Sequence, residues 1–176
     1  MGDHLTQLNE AAFLLINATE QSPLIQVGFA LIAAKALVLL VPMDLMRRWF
    51  GRGRFRSRRV VVASVLALSM ALAASWVIGT LFSTPRPFLA GIGHTLMAHR
   101  PSPSFPSNHG IIFATHTAVL WLFGHRIAAA AFLLLGISVG WARIYLGVHF
   151  PADMLGSVLL ACAAAATAYL TCRRAV

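Results

Sequence analysis

The chain has 176 residues, of which 59% are hydrophobic and only 11% are charged. A soluble domain carries about a quarter charged residues, so this composition excludes an ordinary water-soluble enzyme and indicates a protein surrounded by lipid. A helix needs roughly 20 apolar residues to cross a bilayer, so the length allows about five or six spans and no separate soluble module. We therefore expect a single domain over residues 1–176.

The first predicted element is a helix over residues 5–18. Its apolar side chains share one helical face: Leu5, Leu8, Ala12, Leu15 and Ile16. The stretch is short and polar for a span, so it is either an amphipathic helix in the membrane interface or a short first helix. A basic segment followed by a short apolar core is absent from the N-terminus, and we therefore expect no cleavable signal peptide.

Five apolar segments then follow as predicted transmembrane helices: residues 24–46, 60–82, 108–123, 127–148 and 152–171. Residues 83–107 hold five of the eight prolines, which are poorly tolerated inside helices, so this stretch is predicted to be a loop. The fold class is therefore all-α, an integral membrane helical bundle.

Cys162 and Cys172 lie ten residues apart on the last helix, which separates them by about 15 Å, so they cannot form a disulfide within it.

The net charge of +9 comes mainly from a predicted loop at residues 47–59, which contains Arg47, Arg48, Arg52, Arg54, Arg56, Arg58 and Arg59. A nucleic-acid interface is one interpretation, but no aromatic ladder or known binding motif accompanies these arginines. With Arg126, Arg173 and Arg174, ten of the fourteen Lys and Arg residues fall on one side of a five-span topology. The positive-inside rule makes that side cytoplasmic, places the loop 83–107 outside, and predicts no nucleic-acid partner.

Ionisable residues also occur within the predicted spans. Lys35 and Asp44 lie in the first span, and His116 lies two turns into the third. Such residues mark either a functional site or a polar contact with a neighbouring helix or the interface. We favour the second interpretation for all three residues.

Polar residues converge on the side opposite the arginines. Arg86, His109, Arg143, His149 and Asp153 come from four helix ends that face the same side. Arginine binds phosphate oxygens in a bidentate manner, and a helix beginning at Ser107-Asn108-His109 offers free N–H groups to an anion. Histidine acts as a nucleophile or general acid near neutral pH, and an adjacent carboxylate orients it.

Three segments carry a family resemblance: Thr84-Pro-Arg-Pro-Phe88, Pro106-Ser-Asn-His109 and the run from Ala142 to Asp153. They resemble the three signature motifs of the type 2 phosphatidic acid phosphatase (PAP2) superfamily, over about residues 60–170. Three positions depart from the motifs: Gly79 stands where the first motif has Lys, Asn108 replaces Gly, and Ala142 replaces Ser. Lys35 is a candidate substitute for the missing Lys. The sequence from Arg143 to Asp153 is most similar to that of the bacterial undecaprenyl-diphosphatase branch associated with bacitracin resistance.

The resemblance implies a role for each motif residue. His149 would attack phosphorus and form a phosphohistidine, Asp153 would orient it, and His109 would protonate the leaving oxygen. The phosphate-binding residues would be Arg86, Ser107, Asn108 and Arg143. The family implies no metal and no other cofactor, and membrane lipids and a polyprenyl or other lipid phosphate would be the partners.

Each of these residues also has a structural interpretation. Asp153 favours a helix N-terminus, His109 caps a helix, and the arginines bind lipid headgroups. His94 and His99 are interpreted as surface residues of the loop, and Arg100 as a residue that meets the substrate headgroup.

The favoured function is hydrolysis of undecaprenyl diphosphate at the outer face of a plasma membrane. One alternative is a phosphatase or phosphotransferase for another lipid phosphate: phosphatidic acid, phosphatidylglycerol phosphate or lipid A. An alternative of another class is a non-catalytic transporter subunit, which would need polar residues along a path across the membrane.

Overall fold

The computed structural model describes residues 2–51 and 54–173, and the regular secondary structure within these residues is entirely helical. The helices are α1 (Gly2–Ile16), α2 (Leu24–Lys35), α3 (Leu40–Phe50), α4 (Arg54–Leu81), α5 (Asn108–Leu122), α6 (Arg126–Tyr145) and α7 (Pro151–Arg173). A 3₁₀ turn, Leu37–Leu39, joins α2 to α3. The prediction of an all-helical membrane bundle is confirmed.

Four stretches of the described chain are long and apolar enough to cross a membrane: Leu24–Phe50, Ser57–Leu81, Arg126–Tyr145 and Pro151–Arg173. The remaining predicted span, α5, has 15 residues and is about 22 Å long. It packs against α4, α6 and α7 and also touches α3, so its surface is covered mainly by protein. The protein is therefore a multi-pass membrane protein built around α5.

Small residues lie where the long helices meet, and large apolar side chains lie on the outside. On α4 the buried residues include Ala63, Ala67 and Ala71, each 0% exposed, and α7 contributes Ala161, Ala165 and Ala168. Small side chains let helix backbones approach closely, which is the main source of packing energy between helices in lipid. Leu134 and Leu159, at 66% and 74% exposed, point outwards, as expected for side chains that contact acyl chains.

Two predicted boundaries are wrong. The segment 47–59 is not a loop over its whole length, because α3 continues to Phe50 and α4 starts at Arg54. Arginine is a good helix former, so the helices extend into the basic segment and α3 stops only at Gly51. Arg52 and Arg174 lie outside the described residues.

The second wrong boundary concerns α6, which ends at Tyr145 rather than at residue 148. Gly147 adopts a φ of +79°, a left-handed conformation that a helix cannot contain. The connection 146–150 between α6 and α7 therefore carries His149, which lies outside both helices.

Helix α1 lies against the ends of α6 and α7. Phe13 is fully buried and stacks edge-on against Phe150, whereas Leu15 is 88% exposed. At 15 residues α1 is shorter than the candidate spans, and its exposed apolar residues fit a helix at the membrane interface.

The ionisable residues inside the bundle are paired. Asp44 of α3 accepts hydrogen bonds from Arg47 and Arg48, and its Oδ2 lies 3.2 Å from Nε2 of His116 on α5. The other ring nitrogen of His116 lies 3.4 Å from Oγ of Ser64 on α4. The interpretation of Asp44 and His116 as partners of neighbouring helices is confirmed.

Candidate active site

A cavity of about 550 Å³ opens at the ends of α4, α5 and α6, beneath the loop 83–107. Five of the seven predicted site residues line it: Arg86, Asn108, His109, Arg143 and His149. Ser107 and Asp153 are buried behind this wall, at 0% and 4% exposed. Helix α4 contributes Ser75, Trp76, Gly79 and Thr80, and the loop contributes His99, Ser102 and Pro103.

Asp153, in the first turn of α7, holds the imidazole of His149 in place. Its Oδ2 lies 3.1 Å from Nδ1 of His149 and also accepts hydrogen bonds from Oγ of Ser104 at 2.5 Å and from N–H of Phe150 at 2.9 Å. One carboxylate oxygen therefore binds the histidine ring, the backbone of the next residue and the loop 83–107. Such an arrangement orients a histidine and stabilises positive charge on it.

The tautomer of His149 follows from its second partner. Nε2 lies 3.0 Å from Nη1 of Arg86, and a guanidinium can only donate hydrogen bonds. Nε2 therefore carries the lone pair, and Nδ1 carries the proton that it donates to Asp153. The pKa of His149 is lowered to about 4, mainly by burial; Asp153 opposes this shift, and the positive charges of Arg86 and Arg143 add to it. His149 is thus a neutral imidazole whose Nε2 electron pair faces Arg86 and the cavity.

Arg86 is held by the chain's own acceptors. Its Nε donates to the carbonyl oxygen of Ser102, and Nη2 donates to Oγ of Ser102 and to the carbonyl oxygen of Pro103. Nη1 donates to the carbonyl oxygen of Val148 at 3.1 Å, besides its contact with His149. Burial lowers the pKa of Arg86, and the charge of Asp153 opposes that shift. The guanidinium thus ties the loop 102–103 to the connection that carries His149.

Arg143, in the last turn of α6, has an unused donor. The side chain is buried, and its Nε has no hydrogen-bond partner within the part of the chain that the structure describes. A buried donor without a partner is unfavourable unless something binds it. Since Arg143 lines the cavity, an anion there would satisfy it.

The N-terminus of α5 forms the next part of the wall. Ser107 is the N-cap, since its Oγ accepts from N–H of Gly110 at 3.5 Å, and its carbonyl oxygen accepts from Oγ of Ser157 at 2.9 Å. The amide oxygen of Asn108 accepts from Oγ of Ser75, so its NH₂ group remains available for an anion. His109 follows in the first turn. The cavity therefore combines cationic and N–H donors around the neutral His149, a set of groups suited to phosphate.

Comparison with known proteins identifies the family of this chain. The model of the PAP2 superfamily matches residues 60–175, well over half of the chain. The chain belongs to the PAP2 superfamily.

Three individual proteins illustrate the similarity. YbjG of Escherichia coli (strain K12), whose name marks an undecaprenyl-diphosphatase activity as provisional, is 38% identical over 156 residues, 88% of this chain and 78% of that protein. The undecaprenyl-diphosphatase BcrC of Bacillus subtilis (strain 168) is 33% identical over 109 residues, 62% of this chain and 56% of BcrC. The crystal structure of Aquifex aeolicus LpxE superposes with a TM-score of 0.73 at 28% identity, covering 92% of this chain and 94% of LpxE.

The position at which this PAP2 chain departs from the first motif lies in the cavity wall. A Cβ atom at Gly79 would contact Cβ of Pro103 at 3.4 Å, so the position has room for a side chain. Lys35, considered as a substitute for the missing Lys, is exposed on α2 and is not among the residues that line the cavity.

Sequence reasoning missed three polar residues of the loop. Ser104 binds Asp153, Ser102 binds Arg86, and His99 lines the cavity with its ring centroid 6.4 Å from that of His149. His99 was interpreted as a surface residue, whereas the structure makes it half-buried. The loop has no periodicity, so only its folded path brings these side chains to the site. Across the described residues, no group of three or more His, Cys, Asp and Glu side chains is placed to hold a metal ion.

Proposed function

We propose that this chain is an undecaprenyl-diphosphatase, which hydrolyses undecaprenyl diphosphate to undecaprenyl phosphate and inorganic phosphate. The observation that carries the proposal is the geometry of His149, whose unprotonated Nε2 lines a cationic cavity while Nδ1 is bound by Asp153. The names of BcrC and of a Sulfolobus acidocaldarius relative, both undecaprenyl-diphosphatases, support the choice of substrate.

The reaction follows in two steps. His109 takes up a proton from solvent when the anionic diphosphate binds beside it. Nε2 of His149 attacks the terminal phosphorus, the bond from phosphorus to the bridging oxygen breaks, and His109 gives its proton to that oxygen. Water then attacks the phosphohistidine, His109 takes a proton from the water, and phosphate leaves with His149 restored. Asp153 stabilises the positive imidazole in between, and Arg143, Asn108 and the N-terminus of α5 stabilise the phosphoryl oxygens.

No metal enters this scheme, and we propose that the reaction is independent of one. The charged groups of the cavity wall are cations, which neutralise phosphate in the way a magnesium ion does elsewhere. A metal ion would add to positive charge that is already present.

We also propose that the cavity faces the outside of a plasma membrane. The arginines of α3 and α4, together with Arg126 and Arg173, lie at the helix ends opposite to those that form the cavity. The positive-inside rule then makes the arginine-rich end cytoplasmic.

The substrate proposal is tested by phosphate release from the purified protein in detergent with EDTA present. Undecaprenyl diphosphate, phosphatidic acid and phosphatidylglycerol phosphate are compared, using wild type, His149→Ala and His94→Ala, an exposed histidine of the same loop. We expect release from undecaprenyl diphosphate to survive in His94→Ala and to fall by about 10³-fold or more in His149→Ala. Preference for a glycerolipid would change the substrate and keep the mechanism. No release from any substrate, or equal release by His149→Ala, would exclude the phosphatase and favour a transporter subunit.

The orientation is tested by labelling with a membrane-impermeant maleimide in spheroplasts. Cys162 and Cys172 are first replaced by Ser, and a single cysteine is introduced at Ala98 in the loop or at Arg58 on α4, both exposed positions. We expect Ala98→Cys to react in intact spheroplasts and Arg58→Cys to react only after permeabilisation. The reverse pattern would place the cavity inside the cell.

A further inference from the structure

The cavity has fewer free donors than its number of cationic residues suggests. A guanidinium has five N–H groups, and those of Arg86 point at acceptors provided by Ser102, Pro103, Val148 and His149. Of these bonds, only the one to Nε2 of His149 would be given up when that nitrogen binds phosphorus. Arg86 is therefore mainly a support for the site, with little capacity left for substrate oxygens.

Helix α4 contributes no charged side chain that could replace the occupied donors of Arg86. Its contributions to the cavity wall are Leu72, the hydroxyls of Ser75 and Thr80, the ring of Trp76, and the bare backbone of Gly79. The hydroxyl of Ser75 is already bound to Asn108, and that of Thr80 donates to the carbonyl oxygen of Val77. A diphosphate carries two charged groups into this space, so a further donor is needed on the remaining wall.

His99 occupies that wall. It lines the cavity from the loop 83–107, and its ring stands at 72° to that of His149 with the centroids 6.4 Å apart. Nδ1 lies 3.0 Å from the carbonyl oxygen of Arg100, which can only accept, so Nδ1 carries a proton. Nε2 is then the nitrogen without an assigned role, an acceptor when the ring is neutral and a donor when it is charged.

The charge of His99 is controlled by its neighbours. Burial lowers its pKa, the carbonyl oxygen of Arg100 opposes this, and the positive charges of Arg86 and Arg143 lower the pKa again. His149 and His109 also face the cavity, from the connection 146–150 and from α5. Burial and the two arginines disfavour a proton on His99, and a phosphate anion bound in the cavity would favour one.

We propose that His99 is a substrate-contacting residue that takes up a proton from solvent when the lipid diphosphate binds and donates from Nε2 to an oxygen of the diphosphate. It thereby supplies the donor that α4 lacks at Gly79. The proposal rests on the proposed function and deepens it, because it explains how one cavity accommodates two phosphate groups. A lipid monophosphate, with a single phosphate held by Arg143 and the N-terminus of α5, depends less on His99.

The experiment measures kcat and KM for undecaprenyl diphosphate and for phosphatidic acid over a series of pH values. The variants are His99→Ala, His99→Gln, the double variant Gly79→Lys/His99→Ala, and His94→Ala as the matched loop control. Residue 79 accepts a Cβ atom, which would make only an ordinary contact with Pro103, so the backbone there need not move. Glutamine keeps an N–H donor but cannot titrate.

For His99→Ala we expect KM for the diphosphate to rise about tenfold or more, the loss typical of one charge-assisted hydrogen bond, with a smaller change in kcat. His99→Gln should recover part of the affinity and remove the part of the pH dependence of KM that the titration of His99 would produce. Gly79→Lys should restore most of the affinity in the double variant, since it places a cation in the same cavity.

Separate outcomes would overturn the inference and the proposed function. If wild type hydrolyses the diphosphate and both single variants at residue 99 keep its KM and pH profile, His99 does not contact substrate. Loss of kcat in His99→Ala with unchanged KM and no rescue by Gly79→Lys would indicate a structural role and overturn the inference. Absence of hydrolysis by wild type for every lipid phosphate would instead refute the proposed function.

Discussion

At the scale of single residues, His149 is made reactive by two neighbours with opposite effects. Asp153 raises its pKa and holds Nδ1, whereas burial and Arg86 keep the ring neutral and Nε2 unprotonated. Because burial has the larger effect, the pKa of about 4 lies below the ordinary value of about 6.5. The proton on His149 is therefore lost as the pH rises through about 4, and the nucleophile is ready at neutral pH.

This balance predicts the behaviour of Asp153→Asn. Removing the carboxylate lowers the pKa of His149 further, so the fraction of neutral imidazole does not decrease at any pH above about 4. We nevertheless expect kcat to fall by about 10³- to 10⁴-fold, because the tautomer and the positive intermediate lose their support. A pH–rate profile checks this: the loss should persist at every pH, and recovery at high pH would contradict the orienting role. Ser104→Ala, which removes one hydrogen bond to the same oxygen, should cause a much smaller loss.

Arg86 gives a second prediction at this scale. Lysine preserves the charge but cannot reach the acceptors on Ser102, Pro103 and Val148 together. We expect Arg86→Lys to lower kcat by about 10²-fold or more and to increase cleavage of the loop 83–107 in limited proteolysis. Normal loop protection together with normal kcat would show that charge alone matters at this position.

At the scale of elements, the conformation of the connection 146–150 depends on contacts with the end of α1 and with the loop 83–107. Nδ2 of Asn17, directly after α1, donates to the carbonyl oxygens of His94 and Tyr145, and its Oδ1 accepts from N–H of His94. Gly147 passes so close to the loop that a Cβ there would lie 2.1 Å from the carbonyl oxygen of His94. The connection that carries His149 therefore depends on a close backbone contact that glycine alone permits.

Gly147→Ala tests this contact, and Gly91→Ala is its matched control. Both glycines have a positive φ, +79° and +69°, so alanine costs about 1–2 kcal/mol at either position through conformation alone. Nothing lies within 4 Å of a Cβ at Gly91, whereas at Gly147 the backbone must move. We expect Gly147→Ala to reduce kcat and the thermal unfolding temperature in detergent clearly more than Gly91→Ala. Equal effects would show that the close approach is unimportant.

At the scale of the whole molecule, the bundle has polar centres at two depths. His109 lines the cavity, and His116 lies seven residues further along α5, about 10 Å deeper, where it meets Asp44 and Ser64. The deeper centre consists of groups paired with one another across α3, α4 and α5. Such closed pairing fits a role in holding helices together better than a role in a transport path.

Asp44→Ala should therefore destabilise the protein without altering substrate binding. It leaves the buried Arg48 without its partner, which typically costs about 3–5 kcal/mol. Arg47→Ala is the control, since the Arg47 side chain is 71% exposed and an exposed pair contributes about 0–1 kcal/mol. Thermal unfolding in detergent and KM are measured together. A change in KM with unchanged stability would contradict the structural role.

Features that depend on neighbouring residues could be predicted from the sequence alone. Apolar runs long enough to span a bilayer predicted the helical bundle, since lipid leaves the backbone few other choices. The resemblance to the PAP2 motifs implied that Asp153 orients His149, and Oδ2 of Asp153 does lie 3.1 Å from Nδ1 of His149. The grouping of Arg86, His109, Arg143 and His149 at one set of helix ends also followed from the chain order of the spans.

The contacts between side chains far apart in the chain could not be predicted in this way, because they depend on how the helices and the loop pack together. Arg86 and Val148 are 62 residues apart, Asp44 and His116 are 72 apart, and Ser104 and Asp153 are 49 apart. No periodicity relates such pairs, because the path of the proline-rich loop is set by packing against α1, Gly147 and the helix ends. For the same reason His99 was interpreted as a surface residue from the sequence. Its position beside His149 exists only when the loop has folded over the cavity.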